Sequence, residues 1–444
     1  MRNIVICCDG TGNEISENIS NVLKLYRCLR KTEKTSPRQL VFYDPGVGTL
    51  ERPDPWHKLR QDFNAILGLA TGYGLDDNVL AAYSFLVHNY QAGDQIYLFG
   101  FSRGAYTVRV LAGLIHKVGL ITPEQVNLAG SGLIAYKQFS SDEAPKLRAK
   151  FKSAIEAAAA EDTLPQTAFD NAAQFARITS TRWPTIRFVG VWDTVASVIV
   201  PRADRFYWPS LEELAFTLVN PSVQTFRQAI SMDERRCMFR CKKWDAPQTY
   251  KHNRFNDAHA EPQDILQVWF AGVHADIGGG YPEKDSALSK YPLLWMIDEA
   301  RKAGLTVNAQ TVKHLAWGIP RKGSPFSYVA PDIRGELHDS MTLPWRLLEY
   351  FPKNAQYKEW PERQVVLGRY IPDAEPRLIP EDAVIHESVE LRMRAGLGYD
   401  PVNLPKRFTT FPMPTAPAAG AAVDDGDEDE EAREDAGESE AQEA

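Results

Sequence analysis

The chain has 444 residues, of which 44% are hydrophobic and 24% charged, and its formal net charge is −8. Most of the negative charge lies in residues 424–444, which contain twelve acidic residues and one arginine, whereas the rest of the chain carries 49 basic and 46 acidic side chains. A nearly neutral body without basic stripes argues against binding to nucleic acid. We expect one large catalytic domain over residues 1–411 and a disordered acidic tail over residues 412–444.

No segment of the chain has the pattern of an export signal or a membrane span. Only one run of five apolar residues, 4–8, precedes Asp9, and no run of about 18 apolar residues occurs. We therefore expect synthesis in the cytoplasm, with any export using a route that reads no such signal. The five cysteines fit a reducing compartment, and Cys237 and Cys241 form a C-x3-C pair without further ligands. We expect no metal and no cofactor.

The first predicted strand, residues 4–8, ends in a glycine-rich loop that begins with Asp9 and Gly10. In a phosphatase that attacks with an aspartate from a D-x-D-G-T loop, the nucleophile would occupy the position of Cys7, so the missing carboxylate argues against that class. We expect the N–H of Gly10 or Thr11 to contribute to an oxyanion hole. The alternative is a plain turn held by the Asp9 side chain.

Strand and helix patterns alternate through the first third of the chain. A helix opened by Ser20 precedes a strand at residues 40–43, and a second helix begins at Asp77 or Asn78. This βαβ alternation predicts an α/β fold with a mainly parallel sheet and helices on both faces. Gly68, Gly72 and Gly74 indicate a loop that we place at the edge of the active site.

The pentapeptide Gly100-Phe101-Ser102-Arg103-Gly104 is the most specific motif. It follows a strand pattern at residues 95–99 and opens a helix pattern, the arrangement in which a G-x-S-x-G turn exposes a nucleophilic serine. The N–H groups at the start of the helix, including that of Arg103, would stabilise negative charge near Ser102. We predict that Ser102 is the nucleophile and that Arg103 completes the oxyanion hole.

A serine nucleophile needs a base and an acid that orients the base. Asp193 follows a predicted strand at residues 186–192, and His274 follows another at residues 265–270. Because the carboxyl ends of parallel strands share one edge of a sheet, we expect Ser102, Asp193 and His274 to converge. Asp204 and Asp276 are alternative acids, although Asp276 is better suited to brace the glycine-rich loop behind His274.

Five motifs in order resemble the α/β-hydrolase domain of type VI secretion phospholipase effectors: residues 8–13, 43–49, 100–105, 191–195 and 272–281. The similarity extends from residue 2 to about residue 300, and the Ser, Asp and His of the family fall on Ser102, Asp193 and His274. The resemblance implies hydrolysis of acyl esters, with phospholipids as the substrates of the secreted members. It leaves open whether this chain is exported and which immunity or secretion partner it has.

Two segments are predicted insertions that form helical caps, at about residues 122–184 and 200–262, and the first includes an alanine-rich helix over residues 146–160. A C-terminal extension begins at about residue 300, where the sequence predicts only further helices and a strand near residues 363–370. The segments 206–209 and 345–351, which are rich in aromatic residues, are candidates for transient contact with a membrane surface. The alternative is that these aromatic side chains pack in the core. The sequence predicts a serine hydrolase that cleaves the acyl esters of phospholipids through an acyl-enzyme. The alternatives are a soluble carboxylesterase, an inactive scaffold with the hydrolase fold, and a peptidase.

Overall fold

The computed structural model describes residues 1–10, 18–46, 74–142, 171–179, 181–195, 199–201, 209–211, 214–355 and 358–417. Its strands are β1 (Asn3–Cys8), β2 (Gln39–Asp44), β3 (Gln95–Phe101), β4 (Ile186–Trp192), β5 (Ile199–Pro201), β6 (Pro209–Leu211), β7 (Val223–Ser231), β8 (Thr249–Tyr250), β9 (Glu261–Pro262), β10 (Asp264–Phe270), β11 (Lys353–Asn354), β12 (Arg369–Tyr370), β13 (Ala383–His386) and β14 (Phe408–Phe411).

The strands form one large sheet and three small ribbons. Eight of the described strands pair in the order β14-β13-β10-β7-β4-β3-β1-β2, and every neighbouring pair is parallel. The pairs β5–β6, β8–β9 and β11–β12 are antiparallel ribbons outside this sheet. The parallel sheet confirms the predicted α/β fold of the hydrolase type.

The helices in chain order are α1 (Asn21–Cys28), α2 (Leu75–Asn89), α3 (Ser102–Val118), α4 (Ala129–Asp142), α5 (Asn171–Ile178), α6 (His274–Gly278), α7 (Lys290–Lys302), α8 (Ala309–Leu315), α9 (Leu343–Glu349) and α10 (Glu387–Arg394). Ser20 caps α1 as predicted, since its hydroxyl accepts from the N–H of Leu23 at 3.1 Å. Helix α2 begins at Leu75, two or three residues before the predicted start at Asp77 or Asn78.

Hydrophobic cores lie on both faces of the sheet, because successive strand side chains point to opposite sides. Ile4 and Ile6 of β1 pack with α2 and α3 on one face, in the same core as helices α4 and α5. Val5 and Cys7 of the same strand pack with α1 and α7 on the other face. The sheet is thus covered by helices on both sides, which is what a parallel sheet requires.

Two features of the architecture differ from the sequence prediction. Residues 223–231 form β7 in the middle of the sheet, so the segment 200–262 is not wholly an insertion. The sequence pattern did not predict this strand because three of its side chains are polar: Gln224, Arg227 and Gln228. The C-terminal extension also contributes β13 and β14 to the same sheet, whereas the sequence indicated only helices and one strand near residues 363–370.

Several predicted features lie outside the described residues. They are Thr11 of the proposed oxyanion hole, the glycine loop at Gly68 and Gly72, the alternative acid Asp204, and the aromatic residues 206–208. The alanine-rich helix predicted over residues 146–160 and the acidic tail from residue 418 also lie outside them.

Candidate active site

Ser102 stands at a sharp turn between β3 and α3. Its backbone has φ 55°, which is rare for a residue with a side chain and identifies a strained position. The flanking glycines are required by packing: a β-carbon on Gly100 would lie 2.5 Å from the carbonyl oxygen of Gly104, and one on Gly104 would lie 2.1 Å from that of Cys8. The G-x-S-x-G spacing therefore follows from how closely the helix start approaches the strands.

His274 follows β10 after another tight turn. Gly272 has φ 123°, and α6 then begins at His274. The His274 ring lies between two aromatic rings, with centroid distances of 4.7 Å to Phe101 and 5.0 Å to Phe239. These contacts hold the imidazole in one orientation in a largely dry site, where His274 is 6% exposed.

Ser102, His274 and Asp193 form a chain of hydrogen bonds. His274 Nε2 lies 2.8 Å from Ser102 Oγ, and His274 Nδ1 lies 2.5 Å from Asp193 Oδ2. With the proton on Nδ1, the imidazole donates to Asp193 and its Nε2 accepts from the serine hydroxyl. This is the geometry in which a histidine can remove the hydroxyl proton.

Asp193 is fully buried immediately after β4, with φ 39°. Its N–H continues the sheet by donating to the carbonyl of Ala229 at 2.8 Å, and its Oδ1 accepts from the N–H of Ser231 at 3.0 Å. Burial alone would raise the pKa of the Asp193 carboxyl, but Arg377 and the hydrogen bond from His274 hold that pKa well below its usual range. Asp193 is therefore a carboxylate at neutral pH.

Arg377 is a residue of this site that the sequence analysis missed. Its guanidinium contacts both oxygens of Asp193, with Nη1–Oδ1 at 2.5 Å and Nη2–Oδ2 at 2.9 Å. No motif or periodic pattern surrounds Arg377 in the sequence, which lies between Pro376 and Leu378. The only signal was a lone arginine in a proline-rich segment, and that pattern is not specific.

Two of the N–H groups predicted to form an oxyanion hole, those of Arg103 and Gly10, have different surroundings in the structure. Arg103 is the second residue of α3, a position whose N–H has no acceptor within its own helix. The N–H of Gly10 instead donates to Asp9 Oδ1 at 2.7 Å, while Tyr43 donates to Asp9 Oδ2 at 2.9 Å. This arrangement favours the alternative interpretation of the loop after β1, a turn held by the Asp9 carboxylate.

The Asp276 carboxylate bonds to Val273 and His338 and not to the imidazole of His274 in this structure. Its Oδ2 accepts from the N–H of Val273 at 3.0 Å, and its Oδ1 lies 2.7 Å from Nδ1 of His338. The Val273 bond is the bracing role that the sequence predicted for Asp276. His338 in turn stacks on Tyr281, with ring centroids 3.6 Å apart.

The described residues contain no group of three or more His, Cys, Asp or Glu side chains that could hold a metal ion. The cysteines are all free thiols: Cys7, Cys8, Cys28 and Cys237 are buried, and Cys241 is half-buried. Cys237 Sγ lies 3.6 Å from the hydroxyl of Tyr370, so it packs within the C-terminal part of the protein.

A cavity of about 560 Å³ lies beside the site rather than at the serine. Val273, the neighbour of His274, lines one side of it, and segments of the C-terminal extension around Ser340 and Tyr399 line the rest. Half-buried Asp233 also lines it and accepts from the N–H of Gly272 at 2.7 Å. Burial raises the pKa of this carboxyl to about 6.

None of the helices in the described part of the chain has the length and apolar character that a membrane-spanning helix needs.

A parallel sheet covered by helices, with a serine on a sharp strand-to-helix turn at its carboxyl edge, defines an α/β protein of the hydrolase type. Residues 2–299 match the family model described as "T6SS, Phospholipase effector Tle1-like, catalytic domain". The chain belongs to this family, which confirms the resemblance drawn from the five motifs.

Individual relatives share only part of their length with this chain. It is 30% identical over 245 residues to an uncharacterized protein of Saccharomyces cerevisiae, a match that covers 54% of this chain and 32% of the relative. An uncharacterized protein from Pseudomonas aeruginosa is similar at 17% identity and a TM-score of 0.35, over 70% of this chain and 47% of that one. The Tle1 effector bound to the VgrG spike is similar at 18% identity and a TM-score of 0.30, over 65% and 52%. The chain thus spans about a third of the first relative and about half of the other two.

Proposed function

We propose that this protein is a serine-dependent phospholipase. The observation that carries the proposal is the hydrogen-bonded chain from Ser102 through His274 to Asp193, found in a member of a phospholipase effector family. Ser102 supplies the nucleophile, His274 the general base and Asp193 the group that orients the base. These roles match the order of the motifs along the chain.

In the first half-reaction, His274 Nε2 accepts the proton of Ser102 as Oγ attacks the ester carbonyl carbon. The carbonyl oxygen becomes an oxyanion, which the N–H of Arg103 and the start of α3 stabilise. Protonated His274 then donates its proton to the leaving alcohol oxygen, and the acyl group remains on Ser102. In the second half-reaction, His274 removes a proton from water as the water oxygen attacks the acyl carbon. Protonated His274 then returns a proton to Ser102 Oγ as the bond between Oγ and the acyl carbon breaks, which releases the fatty acid.

An exposed apolar surface close to the site supports a lipid substrate. Leu343, Leu347 and Phe351, on and just beyond α9, are 72%, 59% and 62% exposed. Trp345 on the same helix is buried at 2% exposed, and it packs edge-on against Phe239, which contacts His274. Of the two interpretations offered for residues 345–351, core packing therefore applies to Trp345. Its exposed neighbours are free to contact a membrane interface.

The test measures fatty-acid release from phospholipid vesicles and from a soluble short-chain ester, with wild type and Ser102→Ala. Turnover of both substrates that falls at least about 10⁴-fold in Ser102→Ala supports the proposal. Cleavage of the soluble ester alone identifies a carboxylesterase. Lack of turnover of both substrates, together with no labelling of Ser102 by a fluorophosphonate, identifies an inactive scaffold.

Export through a type VI system is a second part of the proposal, and it rests on the family alone. One structural neighbour, the Tle1 effector, is bound to a VgrG spike in its own structure. Co-purification of this chain with the spike proteins of its own cell tests whether it has such a partner. Recovery in the culture medium that depends on the secretion system tests export itself.

A further inference from the structure

Asp193 forms a buried ion pair with an arginine that lies outside the region that matches the family. That match ends at residue 299, whereas Arg377 lies in the C-terminal extension, 184 residues along the chain from Asp193. The Arg377 side chain is 2% exposed and that of Asp193 is 0% exposed. Two N–H···O bonds, one to each carboxylate oxygen, in such a dry site fix both the position and the charge of the carboxylate.

The two terminal nitrogens of the guanidinium also bind the backbone around the site. Nη1 donates to the carbonyl oxygen of Ser231 at 3.0 Å, and Nη2 donates to that of Phe239. Ser231 ends β7 and also donates its N–H to Asp193. One arginine therefore connects the acid to the end of a neighbouring strand and to the aromatic residue that contacts His274.

The segment that carries Arg377 is itself anchored. Glu375 pairs with Arg240 at 2.7 Å and with Arg363 at 3.0 Å, and Trp360 Nε1 donates to the carbonyl of Pro376 at 2.6 Å. These contacts lie within the extension or between it and the loop after β7. These contacts fix the segment that carries the guanidinium independently of Asp193, as the support of a catalytic group requires.

We propose that Arg377 is a positioning residue of the triad, which fixes Asp193 for His274 and offsets the carboxylate charge that would otherwise stabilise protonated His274. The proposal rests on the proposed function, because it assigns His274 as the base. It also assigns the C-terminal extension a part in the hydrolase site.

The second effect follows from charge. An unpaired aspartate favours the imidazolium form of its histidine, and a cation bonded to both carboxylate oxygens opposes that preference. We therefore expect removal of the Arg377 charge to favour the imidazolium form of His274. The other charged groups around His274 come from the loop after β7, from α6 and from the segment before α9. They are Glu234, which accepts from the N–H of His274, Arg236, which pairs with Glu234, and Asp276 with its partner His338. None of these residues is substituted in the Arg377 variants.

The test compares the pH dependence of kcat/KM on the soluble ester for wild type, Arg377→Gln and Arg377→Lys. We expect Arg377→Gln to lower kcat by at least about 10-fold and to move the acid limb upward by roughly one pH unit. Arg377→Lys keeps the charge, so its acid limb should stay near that of wild type. Its kcat should still fall, because an ammonium group cannot bond both carboxylate oxygens in the same fork.

A matched control is Arg392→Gln, another buried arginine of the extension, whose Nη1 donates to the carbonyl oxygen of Gly335 at 2.8 Å. Its acid limb should match wild type. If Arg377→Gln does not fold, the lysine variant decides the positioning role, since Arg377→Lys with full kcat overturns it. A folded Arg377→Gln variant with an unmoved acid limb overturns the proposal.

An NMR titration of the His274 imidazole in the Ser102→Ala background measures the same coupling without turnover. Adding Arg377→Gln to that background should raise the pKa of His274. If wild type cleaves no ester while this pKa still rises, the proposed function fails and the coupling between Arg377 and His274 stands. If the pKa does not rise, the proposal fails even in an active enzyme.

Discussion

Gly104, on the first turn of α3, packs directly against the carbonyl oxygen of Cys8 at the end of β1. A β-carbon at Gly104 would lie 2.1 Å from that oxygen, a separation that side-chain carbons do not reach in real structures. The helix that begins at Ser102 is therefore seated on the sheet backbone to backbone. This close contact places Ser102, the proposed nucleophile, beside the loop that follows β1.

Gly104→Ala is expected to lower the free energy of unfolding by about 2–4 kcal/mol and to reduce esterase activity strongly, because the start of the helix must move away from β1. Gly130→Ala is the matched control on α4, where an added β-carbon meets nothing within 4 Å. That variant should be neutral or more stable by about 0.5–1 kcal/mol. Urea unfolding of the three proteins measures the difference, and equal losses at the two glycines would contradict the packing argument.

Ser102→Gly should be more stable than Ser102→Ala by about 1 kcal/mol. The positive φ at this position strains any residue with a β-carbon, and only glycine removes the strain. Both variants should lack esterase activity, because neither has a hydroxyl. The urea midpoints of the two proteins provide the test, and an alanine variant as stable as the glycine variant would show that the turn is unstrained.

Asp193→Asn is expected to reduce kcat about 10⁴-fold and also to destabilise the protein by about 3–5 kcal/mol. The catalytic loss follows from the wrong histidine tautomer, and the stability loss from Arg377, which keeps a buried charge without its carboxylate. Adding Arg377→Met should restore much of the stability but none of the activity. Unfolding titrations and ester hydrolysis separate the two effects. An Asp193→Asn variant as stable as wild type would refute the role of the ion pair in stability.

His386 makes the fold sensitive to acid. Burial lowers the pKa of His386 to about 3, so between pH 6.5 and that value the unfolded chain binds a proton that the folded protein does not. Its contribution to stability is complete above pH 6.5 and decreases as the pH falls. At pH 4.5 the loss from this one group is up to about 3 kcal/mol.

His386→Asn tests this contribution, because it removes the titration and keeps an acceptor for the N–H of Ser388 at the start of α10. The variant will lose packing at every pH, so the relevant quantity is the change in unfolding free energy between pH 7 and pH 4.5. That change should be smaller in the variant than in wild type. Equal changes in the two proteins would show that His386 does not titrate during unfolding.

The exposed surface of α9 should matter for vesicles and not for soluble esters. The double variant Leu347→Ser with Phe351→Ser is expected to reduce hydrolysis of phospholipid vesicles at least about 10-fold, because apolar area that would enter the interface is lost. Its activity on a short-chain ester should remain near wild type. Ile178→Ser on α5, at a residue 73% exposed, is the control and should change neither activity. A parallel loss on both substrates would indicate damage to the site instead.

The sequence by itself predicted the parallel sheet and the three groups that now lie in hydrogen-bond contact. Both predictions depend on local patterns: strand and helix periodicity, a glycine-flanked serine, and polar residues placed where strands end. Parallel strands bring their carboxyl ends to one edge, so local placement was enough to bring Ser102, Asp193 and His274 together. Their catalytic roles remain predictions for the experiments above.

Only the tertiary structure revealed what surrounds these groups. Strand β7 has polar side chains that hide its central position, and β13 joins the sheet through parallel pairing with a distant segment. The Gly10 N–H is bonded to Asp9, and Arg377 reaches Asp193 from the C-terminal extension. Such contacts depend on how distant segments pack and on which charges become buried together, and neither is encoded in the order of neighbouring residues.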